Sequence, residues 1–181
     1  MKQRVYNQRR RAETKDSTRM RIVVAAVDLH RAIGPASTTI SAVAERAGVQ
    51  RHTVYRHFPN ESALLVACSG HFLATNPPPD PSTWGSVRDG LADLYRYYKS
   101  NDQMIASVLR DSSVMPVGQR FKDLQTAAIA AIARLAVGRI DKAALRMATD
   151  FRTWQALRLE AKAAAALMTT MLECSSTQPE E

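Results

Sequence analysis

Apolar side chains recur at spacings of three and four through Met20, Val23, Val24, Val27 and Ile33, a period that predicts an amphipathic helix beginning at Ser17. Asp16, Ser17 or Thr18 would cap its start, and Gly34 followed by Pro35 would end it. The pattern resumes at Thr38 or Thr39, with Ile40, Val43, Ala44 and Ala47 as the inward face of a second helix that stops at Gly48. A third, short helix from Gln50 to Phe58 sets Val54 and Phe58 one turn apart, which leaves Arg51, His52, Tyr55 and Arg56 on its other faces. Pro59 closes it. Asn60 caps a fourth helix that buries Leu64, Leu65, Ala67 and Phe72 and runs to the break at Asn76-Pro77-Pro78-Pro79.

Past that break, Asp80-Pro81 offers a cap and a first-turn proline for a helix carrying Val87, Leu91, Leu94, Tyr95 and Tyr98. Met104, Ile105, Val108 and Leu109 predict a separate shorter helix that fades before Met115-Pro116. Phe121, Leu124, Ala128, Ile132 and Leu135 form a further stripe ending near Gly138. The last pattern begins after Asp141 with Ala144, Met147, Phe151 and Trp154, then continues or restarts through Ala161, Ala165, Met168 and Leu172. Nothing alternates with period two over a useful length and no internal repeat is evident, so the expected fold is all-α.

At 181 residues and 45% hydrophobic composition the chain can bury a core, which argues against disorder over most of its length. Residues 1–16 are the exception: almost without aliphatic side chains and rich in Arg, Gln and Lys, they predict a flexible basic arm. No apolar run approaches the roughly 20 residues that cross a bilayer, and the Arg-crowded start lacks the apolar segment of a secretory signal, so a cytoplasmic protein is expected. Cys68 and Cys174 have no paired spacing and predict reduced thiols rather than a disulfide or a metal knuckle.

Charge is unevenly placed. The chain holds 25 Lys and Arg against 17 Asp and Glu, and the first 58 residues alone carry 12 basic and 4 acidic side chains, so the whole excess of +8 sits in the first third. A basic module joined to a neutral one predicts a polyanion-binding end and a separate partner or ligand end. The pair of short helices joined through Ala44-Glu45-Arg46-Ala47-Gly48-Val49 has the form of a helix-turn-helix, with small residues for close packing and a glycine for the turn. Its second helix would lie in the major groove.

These residues resemble the N-terminal domain of TetR-family transcriptional regulators. The likeness runs from Ile22 to Leu65 and includes the Ala25-Ala26 pair, the Thr39-Ile40 helix start, the turn from Ala44 to Val49, and Tyr55-Arg56-His57-Phe58-Pro59. The resemblance implies a three-helix DNA-binding domain over 17–60, a helical ligand-binding and dimerisation domain over 61–175, and a disordered tail over 176–181. It further implies that Thr39 offers its hydroxyl and nearby N–H groups to a phosphate. Gln50, Arg51, His52 and Thr53 would face the groove, with Arg51 the reader of guanine, and Tyr55 and His57 would hold phosphates. Three positions depart from the family's habit: Glu61 where Lys is common, and His30 and Pro35 where aromatics are frequent. Glu61 is read as an acidic residue near a helix N-terminus, in place of a phosphate contact. The basic arm could follow the minor groove or adjacent phosphates, or merely raise the encounter rate.

For the second half, the resemblance implies a cavity for a small-molecule effector, for which Trp84, Tyr95, Tyr98, Met104, Met115, Phe121 and Met147 are candidates, suited to a mostly apolar or aromatic ligand. It also implies a homodimer joined through the last two helices, nominating Phe151, Trp154, Leu157, Leu167, Met168 and Met171. The expected function is a ligand-responsive regulator, most simply a repressor, that binds a double-stranded operator without cofactor or metal. The alternative is a nonspecific nucleic-acid or nucleoid protein working through its basic arm. No Gly-rich phosphate loop, Ser-centred elbow or His-x-x-x-His pair is present to carry catalysis, so an enzyme is not expected.

Overall fold

The computed structural model describes residues 2–112, 119–136 and 140–175, with side chains from residue 13 onward except that of Arg120. Among these residues the structure is all-α: α1 (Lys2–Ile33), α2 (Ile40–Ala47), α3 (Arg51–His57), α4 (Glu61–Thr75), α5 (Val87–Asp111), α6 (Gln119–Leu135), α7 (Lys142–Thr149), α8 (Phe151–Leu157) and α9 (Ala161–Ser175), with a 3-10 turn at Pro81–Thr83. Met115 and the segment 176–181 lie outside the described residues. The chain divides into two compact units, Met1–Pro77 with Ala106–Val117, and Pro78–Ile105 with Gly118–Glu181. The expected boundary after residue 60 is thus displaced: α4 groups with the first unit, where it packs on α1 and buries Leu64 and Cys68.

α1 departs most from expectation. Where a flexible arm was expected over 1–16, the helix runs unbroken from Lys2. Those positions contain no Gly or Pro and are filled mainly by strong helix formers, so they extend a helix nucleated by the buried segment that follows. Thr18, a candidate cap, instead donates its hydroxyl to the Thr14 carbonyl four residues back (2.9 Å) inside the helix. The other end follows the sequence: Gly34, at φ 91°, closes α1 with its N–H on the His30 carbonyl.

In the first unit Ile22, Val23, Ala26 and Val27 of α1 pack with Ile40, Val43 and Ala47 of α2, Val54 and Phe58 around α3, and Leu64 and Cys68 of α4. Local chemistry sets the breaks. Thr39 caps α2 by accepting the Ala42 N–H, Gly48 turns left-handed at φ 63°, and Asn60 caps α4 by accepting the Ala63 N–H. Leu65, Ala67 and Phe72 are half-buried rather than enclosed.

In the second unit Asp80-Pro81 caps only the 3-10 turn; α5 starts later, where Ser86 accepts the Asp89 N–H and donates back to the Asp89 carboxylate. α5 also absorbs the expected separate helix around Met104, crossing a kink at Asn101 (φ −123°, ψ 15°). The stretch after Asp141 breaks into three. Asp150 ends α7 and caps α8 by accepting the Thr153 N–H, and Arg158, at φ 52°, ends α8. The core gathers Leu91, Leu94, Tyr95 and Tyr98 of α5 with Ile132, Leu145, Phe151, Trp154, Met168 and Leu172.

Candidate nucleic-acid interface

The turn between α2 and α3 is fixed by backbone bonds from Gly48 to Glu45 and from Val49 to Ala44 (3.0 and 2.9 Å). It is also clamped from α1: the Arg21 guanidinium donates to the carbonyls of Ala47 and Gly48. These carbonyls form the C-terminal, negative end of α2, where a cation is favoured. Arg46 of α2 pairs with Asp28 of α1 at 2.9 Å. At the far end of α3 the Arg19 guanidinium donates to the His57 carbonyl (3.2 Å) and lies 4.2 Å from the centre of the Phe58 ring. α3 is therefore held at both ends by arginines of α1 and along its length by Val54, which is fully buried. Neither arginine was singled out from the sequence, because each acts on a backbone carbonyl more than 25 residues away.

With that face fixed, Gln50, Arg51 and His52 stand exposed at the leading end of α3, and Thr53 and His57 are half-buried. The Thr53 hydroxyl lies 3.4 Å from His52 Nε2. Tyr55 is 44% exposed. Thr39 is exposed; its oxygen accepts the capping bond, and its proton is left to donate outward. Gln50 precedes the helix without capping it through its side chain, so its amide is not consumed there. Burial, then the charges of Arg56, Lys15 and Arg19, hold the His57 imidazole below its usual range, only partly offset by Asp16. Glu61 lies exposed in the first turn of α4 beside the Asn60 cap.

A second group ties the α1–α2 connection to the last turn of α5. Asp111 Oδ2 accepts the Ala36 N–H at 2.9 Å, Arg110 donates to the Ile33 carbonyl at 2.9 Å, and the Ser107 hydroxyl donates to the Arg31 carbonyl at 3.2 Å. Nearby, His30 Nδ1 lies 3.5 Å from Cys68 Sγ. Burial lowers the His30 imidazole, against the pull of Asp111, and pushes the Cys68 thiol up to about 11.

In the second unit, Tyr98 sits among Phe151, Trp154, Phe121 and Tyr95 with ring centres 5.4 to 6.2 Å away. The hydroxyls of Tyr95 and Tyr98 donate to the carbonyls of Ala148 and Thr149 at the end of α7. Burial pushes both phenols up. Of the expected effector-site residues, Trp84, Tyr95, Tyr98 and Met104 are buried and Phe121 half-buried, but Met147 is 42% exposed on the outer face of α7. Trp84 donates from Nε1 to Asp93 and borders a cleft of about 430 Å3 whose other walls include Arg88, Asp89, Arg96 and Lys162, polar where an apolar cavity was expected. The expected dimer residues also divide. Phe151, Trp154 and Met168 are buried within the chain, as their aromatic and α7–α9 contacts require; Leu157 is half-buried, and Leu167 and Met171 are exposed one turn apart on α9.

Among the described residues no helix is long and apolar enough to cross a membrane, and no three His, Cys, Asp or Glu side chains group to hold a metal ion. Two short helices about a glycine turn, with the second displayed and its polar leading end exposed, define a helix-turn-helix DNA-binding domain. Residues 22–68 match the profile of the bacterial regulatory proteins of the tetR family, and the chain belongs to that family. Over 79 residues it is 37% identical to the class A tetracycline repressor of transposon 1721 and 34% identical to the class C tetracycline repressor, both from Escherichia coli. Each match takes in 41% of this chain, and the chain spans only 37% and 36% of those relatives' lengths. The fold extends further. A tetR-family transcriptional regulator from Streptomyces coelicolor superposes over 89% of this chain and 82% of its own with a TM-score of 0.61 at 19% identity. The regulator FadR from Bacillus subtilis, solved with stearoyl-CoA, superposes over 89% and 99% with a TM-score of 0.52 at 15% identity.

Proposed function

We propose that this protein is a sequence-specific transcriptional repressor that binds an operator as a homodimer and is released by a small effector. The observation that carries the reading is the display of α3: Arg51 and His52 stand exposed at its start while Val54, Phe58 and the two α1 arginines fix the rest. A helix so held can enter the major groove end-on, where the paired donors of Arg51 read guanine and Gln50, His52 and Thr53 meet neighbouring bases. Thr39, Tyr55 and His57 then hold phosphates on either side. The likeness to two tetracycline repressors lies in the same helix-turn-helix part of the chain and supports the DNA-binding half of the reading.

One such unit covers too little DNA for specific control, and pairing two at a fixed separation solves this. Leu167 and Met171, apolar and exposed together on α9, support that helix as the pairing surface, with Leu157 at its margin. For the effector, the aromatic group around Tyr98 is the apolar wall, and Trp154 Nε1 is buried there without a hydrogen-bond partner. An effector combining an apolar or aromatic body with one hydrogen-bond acceptor would satisfy that donor. Release follows when the effector binds the non-DNA-binding arrangement more tightly than the other, by as much as that difference in affinity.

A mobility-shift assay against fragments of the source genome, in a large excess of unrelated duplex, tests the reading. A complex that survives the competitor on a few fragments and disperses with an effector is expected. A shift that fades in proportion to competitor on every fragment contradicts it.

A further inference from the structure

The first 15 residues of α1 pose a physical question that the helix-turn-helix does not answer. Residues 13–17 are exposed, and the sequence before them is almost wholly polar, so this length of helix gains little from packing. A helix polar on all sides is marginal alone and is stabilised by what it meets. Its charges are also sorted. With 3.6 residues per turn, positions 4, 11, 15 and 19 fall along one line of the helix, and all four are basic: Arg4, Arg11, Lys15 and Arg19. The acidic positions of the segment, Glu13 and Asp16, fall on the opposite side.

Arg19 gives this line an address, because its guanidinium rests on the His57 carbonyl and the Phe58 ring at the C-terminal end of α3. The charge of Lys15 is also felt at His57. The basic line therefore starts at the end of the recognition helix and runs outward along α1, reaching up to about 25 Å beyond Arg19 at 1.5 Å per residue, the length of about seven base pairs.

Building on the operator-binding role, we propose that the N-terminal half of α1 is a second DNA-contact surface, with Arg4, Arg11 and Lys15 following the phosphate backbone that flanks each half-site. The partner is duplex DNA outside the sequence read by α3, so the contact adds affinity and salt dependence without adding base preference. Its helical form keeps the three charges in line, whereas a flexible tail of the same composition would spread them.

The test compares the full chain with two variants of equal charge loss, R4Q/R11Q/K15Q on the basic line and K2Q/R9Q/R10Q off it. Binding to a duplex carrying the preferred site and about ten flanking base pairs on each side is followed against NaCl concentration. Each phosphate contact contributes about 0.9 to the slope of log K against log salt, so loss of three contacts in each of two subunits lowers the slope by about 5 for the first variant. The off-line variant should change it by less than half as much, and trimming the flanks should weaken the unsubstituted chain while leaving R4Q/R11Q/K15Q unaffected. Equal changes for the two variants, or an unchanged slope for the first, overturn the proposal. An unsubstituted chain with no preference for any site would instead overturn the operator-binding reading beneath it.

Discussion

The carboxylate of Asp111 accepts the backbone N–H of Ala36 at 2.9 Å across 75 residues of sequence, fixing the connection that leads from α1 into the helix-turn-helix. Burial pushes this carboxyl up, but the Ala36 N–H and the Arg110 guanidinium outweigh it and the group titrates below the ordinary carboxylate range. Asp111→Ala leaves the Ala36 N–H unpaired and should cost about 1–3 kcal/mol, a fall in Tm of several degrees by thermal unfolding. Because the folded value lies below the unfolded one, this stabilisation is complete above about pH 4 and is lost as pH falls through the folded value. An unchanged Tm would mean that the bond contributes nothing net.

His30 should govern stability at milder pH. Its folded value lies below the ordinary 6.5, so the unfolded chain takes up a proton first as the solution is acidified. Stability is unaffected above about pH 6.5 and declines from there towards the folded value. His30→Phe removes this limb, and urea unfolding at pH 7.5, 6.5 and 5.5 should show a flatter profile for the variant. Parallel profiles would exclude His30 as the source.

Gly90 is a packing residue rather than a hinge. A Cβ there would sit 2.9 Å from Trp84 Cε3 and 3.1 Å from Ile132 Cγ1, against ring and branched atoms that have little room to yield. Gly90→Ala gains about 1 kcal/mol in helix propensity, yet overpacking costs about 1–3 kcal/mol, so the variant should be no more stable than its parent and its Trp84 emission should shift. A clear rise in Tm would show that Trp84 moves aside freely.

Leu167→Glu with Met171→Glu places two charges on the exposed face of α9 without touching the core. Sedimentation should then report a monomer that keeps its helical circular dichroism and binds the operator far more weakly. A dimer of undiminished affinity would locate the pairing surface elsewhere.

What the sequence disclosed was local. Thr39, Gly48 and Asn60 announce caps and a turn through their own chemistry, and Val54 and Phe58 follow from helical period, so the helix-turn-helix was legible to within a residue or two. The start of α1 was misplaced because residues 2–16 were judged on the apolar area they can bury, although a continuous run of helix formers extends a helix already nucleated at its other end. The break at Asp150 is tertiary as well as local, since Tyr95 and Tyr98 take up the carbonyls that end α7. Period alone nominates Phe151, Trp154 and Met168 as apolar but says nothing of which chain covers them, and here their own chain does. Arg19, Arg21 and Asp111 act on backbone groups far along the chain, where no spacing rule reaches.

The display of α3 makes a claim about base reading that one residue can test. Arg51→Ala should lose about 1–3 kcal/mol at a single base position and bind variants at that position alike, with the dimer intact. Equal weakening on every duplex would make Arg51 a phosphate clamp.

Selection of bound duplexes from a random pool, followed by footprinting of the winners, tests the central claim most directly. Two copies of α3 displayed by a symmetric dimer predict an inverted repeat whose half-sites lie a whole number of helical turns apart, each half protected. A pool that yields no shared sequence, or a single unpaired half-site protected alone, would contradict it.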